Sequence, residues 1–474
     1  MTPSRVIVIG GGITGLSAAW RLQRHSEKSR TPMHVQLLEG SSHVGGSLKS
    51  VMREGFLLET GPDCFISQKP RGVELCKELG LEVDLIATRP DYRRSFILRQ
   101  GKFYPVPEGF YLMGPSRPRP FLESSLLSWP GKFRAMIEPL IPSRPQTDES
   151  LASFVRRRFG QELLDWMAQP LVAGIYGADS EDLSLRATFP QFLEMERTYG
   201  SVVFGLKKQG VMAHTASGAR YSLFVTLRGG IQQLSDALVK NLGSSVVHSG
   251  TRVKEIRRMD GLWQVIKASG EILTAEAVCV ALPSYAASEI LHTLDADLWS
   301  ELSSIPYAPA ATINFAFREM DVKRPLNGVG FVIPYKENRL VLGCTFAEHK
   351  FEGRAPKGFM LIRAFLGGVH GTTWMGEKDE PLTQRVYSEL KELLGITGKP
   401  LFTQIERYDR SLPQYNVGHL EKILRIEERL LRYRGLSLAG NWSYGVGIPD
   451  CIASGERAAD QLISHLAHPA PAVS

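Results

Sequence analysis

The sequence predicts a mixed α/β and α+β chain. It has a βαβ domain that is discontinuous in sequence, a mixed-sheet domain and an inserted helical domain. Three observations carry this reading. An apolar run at residues 6–9 ends in glycine, then comes a helical stretch at 13–25 and a second apolar run at 34–39. That is the order of a parallel βαβ unit. Helical pieces separated by proline clusters fill 89–204, and strand-length apolar runs recur between 310 and 366.

The elements follow in order. Residues 70–79 read as a helix, with Pro70 in the first turn, Val73, Cys76 and Leu79 on one face, and Gly80 as the stop. In the insert, 150–158 and 161–168 read as helices. Short strands and glycines return over 205–225. Gly229-Gly230 opens a helix carrying Ile231, Leu234, Leu238 and Leu242 on one stripe. Residues 251–256, 262–268 and 272–282 read as strands, as do 312–317, 329–334, 340–346 and 359–365. A helix at 382–394, a buried strand at 436–439 and a helix at 449–466 follow, with 467–474 as a frayed tail. The domains read as 1–88, 226–305 and 435–474 for the βαβ part, 89–204 for the helical insert, and 205–225 with 306–434 for the mixed sheet.

At 474 residues, with 43% hydrophobic and 22% charged residues, the chain can bury several cores and is not a disordered protein. No apolar run approaches the roughly 18 residues of a membrane span, and the N-terminal glycines spoil a signal core. A cytoplasmic location is expected. The five cysteines, Cys64, Cys76, Cys279, Cys344 and Cys451, are scattered. They suit buried thiols rather than a metal or dithiol site. The net charge is +7, and residues 89–158 alone hold 13 Lys/Arg against 6 Asp/Glu. That stretch also holds apolar groups near Phe110 and Trp129. It therefore suits an oily anionic ligand or peripheral contact with a membrane surface better than nucleic acid.

Gly10, Gly11, Gly12, Ile13, Thr14 and Gly15 spell G-x-G-x-x-G directly between a strand and a helix, with Leu16 next. Gly10 permits the tight turn, Gly12 lets backbone approach a pyrophosphate, and Gly15 permits close helix packing. Glu39 ends the second strand, where its carboxylate can accept from ribose hydroxyls. This is a Rossmann-like dinucleotide site.

After Glu39-Gly40 come Gly45-Gly46-Ser47 and then Gly61-Pro62-Asp63-Cys64, and here the chain resembles the FAD-dependent amine oxidase superfamily. The resemblance implies FAD, with these residues around it, Val253 at the adenine, and Tyr408 beside the flavin or in the core. It departs at Ser47, where the family places Arg or Lys. The C-terminal run 439–452, with Gly440, Val446, Gly447 and Ile448, is similar to the closing motif of protoporphyrinogen and coproporphyrinogen oxidases. So are 61–65, 169–177 and 413–419. Asp450 reads as a helix N-terminal carboxylate, Cys451 as a buried cysteine rather than a flavin attachment point, and His419 as structural. Lys69, Arg93, Arg94 and Arg99 are candidate partners of substrate propionates. Lys69 and Arg94, with Gly174 of the third segment, are the candidate substrate contacts.

The resemblance implies oxidation of a porphyrinogen to a porphyrin in haem biosynthesis, with O2 as acceptor and H2O2 as product. Pyrrole nitrogens release the protons, so no catalytic side chain and no metal is named. Coproporphyrinogen III, with four propionates, is favoured over protoporphyrinogen IX, with two, by the look of a soluble bacterial branch and by the basic stretch. The alternatives are an amine oxidase, a carotenoid desaturase, and a non-enzymatic prenyl-protein-binding relative of the GDP-dissociation inhibitors.

Overall fold

The computed structural model describes residues 3–29, 32–144, 148–208, 224–324, 326–368 and 372–468. Its first sheet is five-stranded and parallel, in the order Val247–His248, Met33–Leu38, Ser4–Ile9, Ala277–Val280, Leu436–Leu438. Three stretches far apart in sequence thus build one domain. Its helices Ile13–Lys28 and Ile448–Ala467 pack side by side. The approach is close because a Cβ on Gly455 would sit 2.1 Å from the Thr14 carbonyl oxygen. Ala18, Ala19, Ala458 and Ala459, all buried, continue that seam of small residues.

The second sheet has seven strands: Phe402–Pro413, Tyr307–Arg318, Phe359–Gly367, Gly343–Phe346, Gly330–Val332, Ser95–Arg99 and Lys102–Pro105. All pairs are antiparallel except Gly330–Val332 with Ser95–Arg99. The expected mixed sheet is therefore present, but its edge comes from the stretch read as helical insert. The span from 89 does not begin as a helical unit. The apolar runs Phe96–Leu98 and Phe103–Tyr104, joined by a turn at Gln100-Gly101, pair with the sheet before any α-helix forms.

Three more expectations change. Val202–Lys208 is a helix, so Gly205 starts no strand; it lets that helix press on Met195, 2.5 Å from a Cβ position. Residues 209–223 of the same expectation lie outside the described residues, as does the tail 469–474. The run 272–282 splits into Ile272–Ala275 and Ala277–Val280, which join different sheets. Residues 161–168 form one turn of α-helix and then a π-helical turn, Leu164–Ala168, which leads into the helix Gln169–Tyr176.

The helical unit has its own core, from Phe110, Phe121 and Phe154 to Phe192 and Tyr415. Its charges also point inward. Arg158 is fully buried and donates to Glu138, which also accepts from Ser201 Oγ and the Val202 N–H. Arg157 bridges Glu149 and Glu196 at 2.6 Å each. Arg99 pairs with Glu162 at 3.2 Å, and Arg156 with Glu181. The basic excess of 89–158 is thus met in part by Glu162, Glu181 and Glu196, which lie beyond it in sequence. Phe110 is 2% exposed and is not a surface group; Trp129, Phe133 and Leu140 are, at 71%, 71% and 80%.

Candidate functional site

The site is built from two glycine turns laid against each other. Gly10 has φ +107°, and a Cβ there would lie 2.4 Å from the Ala281 carbonyl oxygen, so only glycine fits. A Cβ on Gly15 would lie 1.9 Å from the Gly10 carbonyl oxygen. Gly12 differs: a Cβ there meets nothing within 4 Å. It caps the helix Ile13–Lys28 with no side-chain cap, so the first-turn N–H groups of Ile13 and Thr14 face that open space. Leu16 is fully buried and anchors the helix.

The second turn closes onto the first. The Gly45 N–H donates to the Gly11 carbonyl at 2.8 Å, and Gly12 and Gly45 form a parallel bridge. A Cβ on Gly46 would come within 3.2 Å of the Gly12 Cα. Glu39 stands beside both, its two carboxylate oxygens accepting from the Gly11 and Ser41 N–H groups at 2.7 Å each. Gly40 borders Arg252, and the Thr251 N–H donates to the Glu39 carbonyl at 2.7 Å, which brings Val253 to this end. Val253 is 8% exposed.

The trough continues past Ser47. Gly61 packs on the Ser47 carbonyl oxygen, 1.8 Å from a Cβ position, and Pro62, Asp63 and Cys64 follow. The seven-stranded sheet holds this segment from behind. Thr312 Oγ1 donates to the Thr60 carbonyl at 2.7 Å, and Asn314 Nδ2 to the Glu59 carbonyl at 3.2 Å. Arg363 donates to the Gly61 carbonyl, and Lys350 Nζ sits 2.7 Å from Asp63 Oδ2. Burial opposes ionisation of Asp63, but Lys350 and Arg363 outweigh it and hold the carboxyl well below the usual range. Tyr408 hydrogen-bonds Thr60 and borders Gly61; its hydroxyl titrates above the normal range through burial.

At the far end Gly440 is buried under Trp442, and the loop 441–447 leads into the helix Ile448–Ala467. Two side chains from the 413–419 segment pin this loop. The Tyr415 hydroxyl donates to the Asn441 carbonyl and accepts from the Gly445 N–H at 2.8 Å. His419 stacks on Tyr415 at 4.1 Å and donates Nε2–H to the Ser443 carbonyl at 3.1 Å. Burial pulls its imidazole down to about 4, so it is neutral at neutral pH and structural. Asp450 Oδ2 accepts from the Gly447 N–H at 3.3 Å, in the first turn of that helix. Cys451 is buried against the first helix, its thiol pushed up to about 12 by burial, which leaves it protonated.

The candidate substrate contacts separate. Lys69 reaches the mouth of this end and pairs with Asp450. Gly174 is exposed in the helix Gln169–Tyr176 and faces Val332 Cγ1 across 3.9 Å from a Cβ position. Val332 and Val446 both pack on the helical core, so sheet, helix and closing loop meet there. Arg94 is exposed at the start of the interior strand Ser95–Arg99, where its carbonyl accepts from the Val329 N–H at 2.8 Å. Arg99 is not available to substrate: it is paired with Glu162 and covers Trp166. The sequence reading missed Thr312, Asn314, Lys350 and Arg363. Thr312, Asn314 and Arg363 are polar residues on apolar strands, and that intrusion is the only local signal they carry; Lys350 ends the short helix Ala347–Lys350 and lacks even that.

Comparison with known proteins agrees with this geometry. The family model of flavin containing amine oxidoreductases matches residues 13–463. The chain is 34% identical to coproporphyrinogen III oxidase of Bacillus subtilis (strain 168), over 97% of this chain and 98% of the relative. It is 28% identical to mitochondrial protoporphyrinogen oxidase of Nicotiana tabacum, over 98% and 95%. A crystal structure of an Exiguobacterium sp. 255-15 protein superposes with a TM-score of 0.87 at 30% identity, over 98% of this chain and 99% of that one.

Proposed function

The chain belongs to the flavin containing amine oxidoreductases, and from that premise we propose that it is an FAD-dependent oxidase converting coproporphyrinogen III to coproporphyrin III in haem biosynthesis. The observation that carries this reading is the full-length similarity to a coproporphyrinogen III oxidase at 34% identity, against 28% for a protoporphyrinogen oxidase. The chemistry of the trough fits FAD. Open space beside Gly12 leaves backbone room for a pyrophosphate, the tightly packed Gly10, Gly45 and Gly46 shape the turns around it, and the Glu39 carboxylate suits a ribose.

When bound, the flavin supplies hydride acceptance. The protein's own residues supply position. Segment 61–64, backed by the sheet, and the loop pinned by Tyr415 and His419 set the two walls. The first turn of the helix Ile448–Ala467 directs its positive end toward the site, which favours negative charge arising there. Gly174, Val332 and Val446 offer a flat apolar surface to a macrocycle. Each oxidation removes a hydride from a saturated carbon together with a proton. Over the whole conversion four meso carbons and two pyrrole nitrogens each lose one hydrogen, so two protons leave nitrogen and the third leaves carbon as the conjugated macrocycle tautomerises. Three such cycles remove six electrons; bound flavin would pass them in pairs to O2, giving three H2O2.

Among the described residues no helix is long and apolar enough to cross a membrane. The enzyme works in the cytoplasm, and Trp129, Phe133 and Leu140 form the face by which it rests on a membrane surface. The test is aerobic turnover of both porphyrinogens, read by porphyrin fluorescence and peroxide release. The expected result is a kcat/KM for coproporphyrinogen III at least equal to that for protoporphyrinogen IX. A clear preference for the dicarboxylate reverses the substrate assignment, and turnover of neither removes the function. Liposome binding that is absent at low salt removes the membrane face.

A further inference from the structure

Asp63 lies in the segment that the sheet presses into the trough, and its charge environment is lopsided. Lys350 Nζ is 2.7 Å from Asp63 Oδ2, and Arg363 Nη1 is 3.9 Å from the same oxygen. The lysine and arginine side chains are 9% and 5% exposed. Two buried cations thus face one carboxylate. Nearby Glu59 and Arg354 attract each other and offset one another. Among the described residues this cluster therefore holds one more positive than negative charge behind residues 61–64, where solvent screens it poorly. Arg363 also donates to the Gly61 carbonyl, so the cluster fixes the segment as well as charging it.

We propose that Lys350 and Arg363 are positioning residues for the cofactor: they hold Gly61 and Asp63 in place and set one net buried positive charge behind them that favours reduced over oxidised flavin. This rests on the flavin reading above. Accepting a hydride adds one negative charge to the isoalloxazine, and a fixed cation stabilises that form more than the neutral one. Salt-bridging alone would not need the second cation, because Lys350 by itself satisfies Asp63.

The test is the midpoint potential of purified holoprotein, equilibrated with redox dyes, for wild type and four variants. Lys350→Met should weaken the preference for reduced over oxidised FAD about tenfold, which is ~30 mV downward for a two-electron couple. Asp63→Asn should move the potential upward, and Lys350→Arg should restore the wild-type value. Arg363→Lys keeps the charge and loses the hydrogen bond to Gly61, so its potential should hold while FAD dissociates more readily. Unchanged potentials in Lys350→Met and Asp63→Asn, whatever their melting temperatures, overturn the proposal. Should one of them not fold, the direction of the other decides. No porphyrinogen enters the measurement, so a wrong substrate assignment leaves the result standing. A chain that takes up no FAD overturns both readings.

Discussion

Lys69 and Asp450 close on each other across 381 positions of sequence, the ammonium 2.6 and 2.7 Å from the two carboxylate oxygens. Asp450 also caps the Gly447 N–H, so one carboxylate ties the mouth of the site to the helix that ends it. The lysine is 52% exposed and the aspartate 19%. A pair this open contributes about 0–1 kcal/mol to stability.

Lys69 is therefore not idle, and a substrate propionate must compete for it. Asp450→Asn keeps a cap oxygen and releases the ammonium. If Lys69 reads a propionate, this variant lowers KM while Lys69→Ala raises it by up to about fivefold, the equivalent of ~1 kcal/mol. Equal KM values in both variants would assign the lysine to the helix end alone.

Gly12→Val and Gly15→Val should part company. Valine at 12 enters open space, so the chain folds but its methyls occupy the pyrophosphate path, and the protein purifies colourless. Valine at 15 meets the Gly10 carbonyl at 1.9 Å and should prevent folding. Flavin absorbance and thermal melts check both. A yellow Gly12→Val protein contradicts the dinucleotide assignment.

Tyr415→Phe removes the hydroxyl shared between the Asn441 carbonyl and the Gly445 N–H. Both groups lose a partner in a partly buried loop, at a cost of about 1–2 kcal/mol. Because that loop leads into the helix Ile448–Ala467, flavin retention should fall along with the melting temperature. A stability loss with FAD affinity untouched would separate the loop from the cofactor.

Glu348 gives a pH test. Burial pushes its carboxyl up to about 7, against an ordinary value of 4.5, although Leu361 donates to it at 2.9 Å. Glu319 nearby raises it further and Arg89 lowers it. The folded state thus holds a proton that the unfolded state has released between these two values. Its contribution to stability falls as pH rises through that window, and above it the penalty is on the order of 3 kcal/mol. Glu348→Gln keeps the bond from Leu361 without the charge. Its melting temperature should exceed wild type at pH 8 and match it near pH 4.5. A gain that is the same at both pH values would refute this.

Much of the frame was legible in the residues. The strand–glycine–helix opening and the acid at Glu39 are local patterns, and local patterns survive folding. So is the order of apolar runs that becomes two sheets. What misled was local charge. The stretch 89–158 is basic in sequence, yet Arg99, Arg156, Arg157 and Arg158 find acids beyond its end.

By itself the sequence determined the fold class, the glycine turn between strand and helix, and the family to which the chain belongs, because each rests on residues close together or on motifs read whole. Only the tertiary structure decided which charges are spent. Lys350 and Asp63 are 287 positions apart, and nothing local couples them. Burial made the difference: a buried cation must find a partner or raise the energy of the fold, and the partner is whatever the sheets bring within reach.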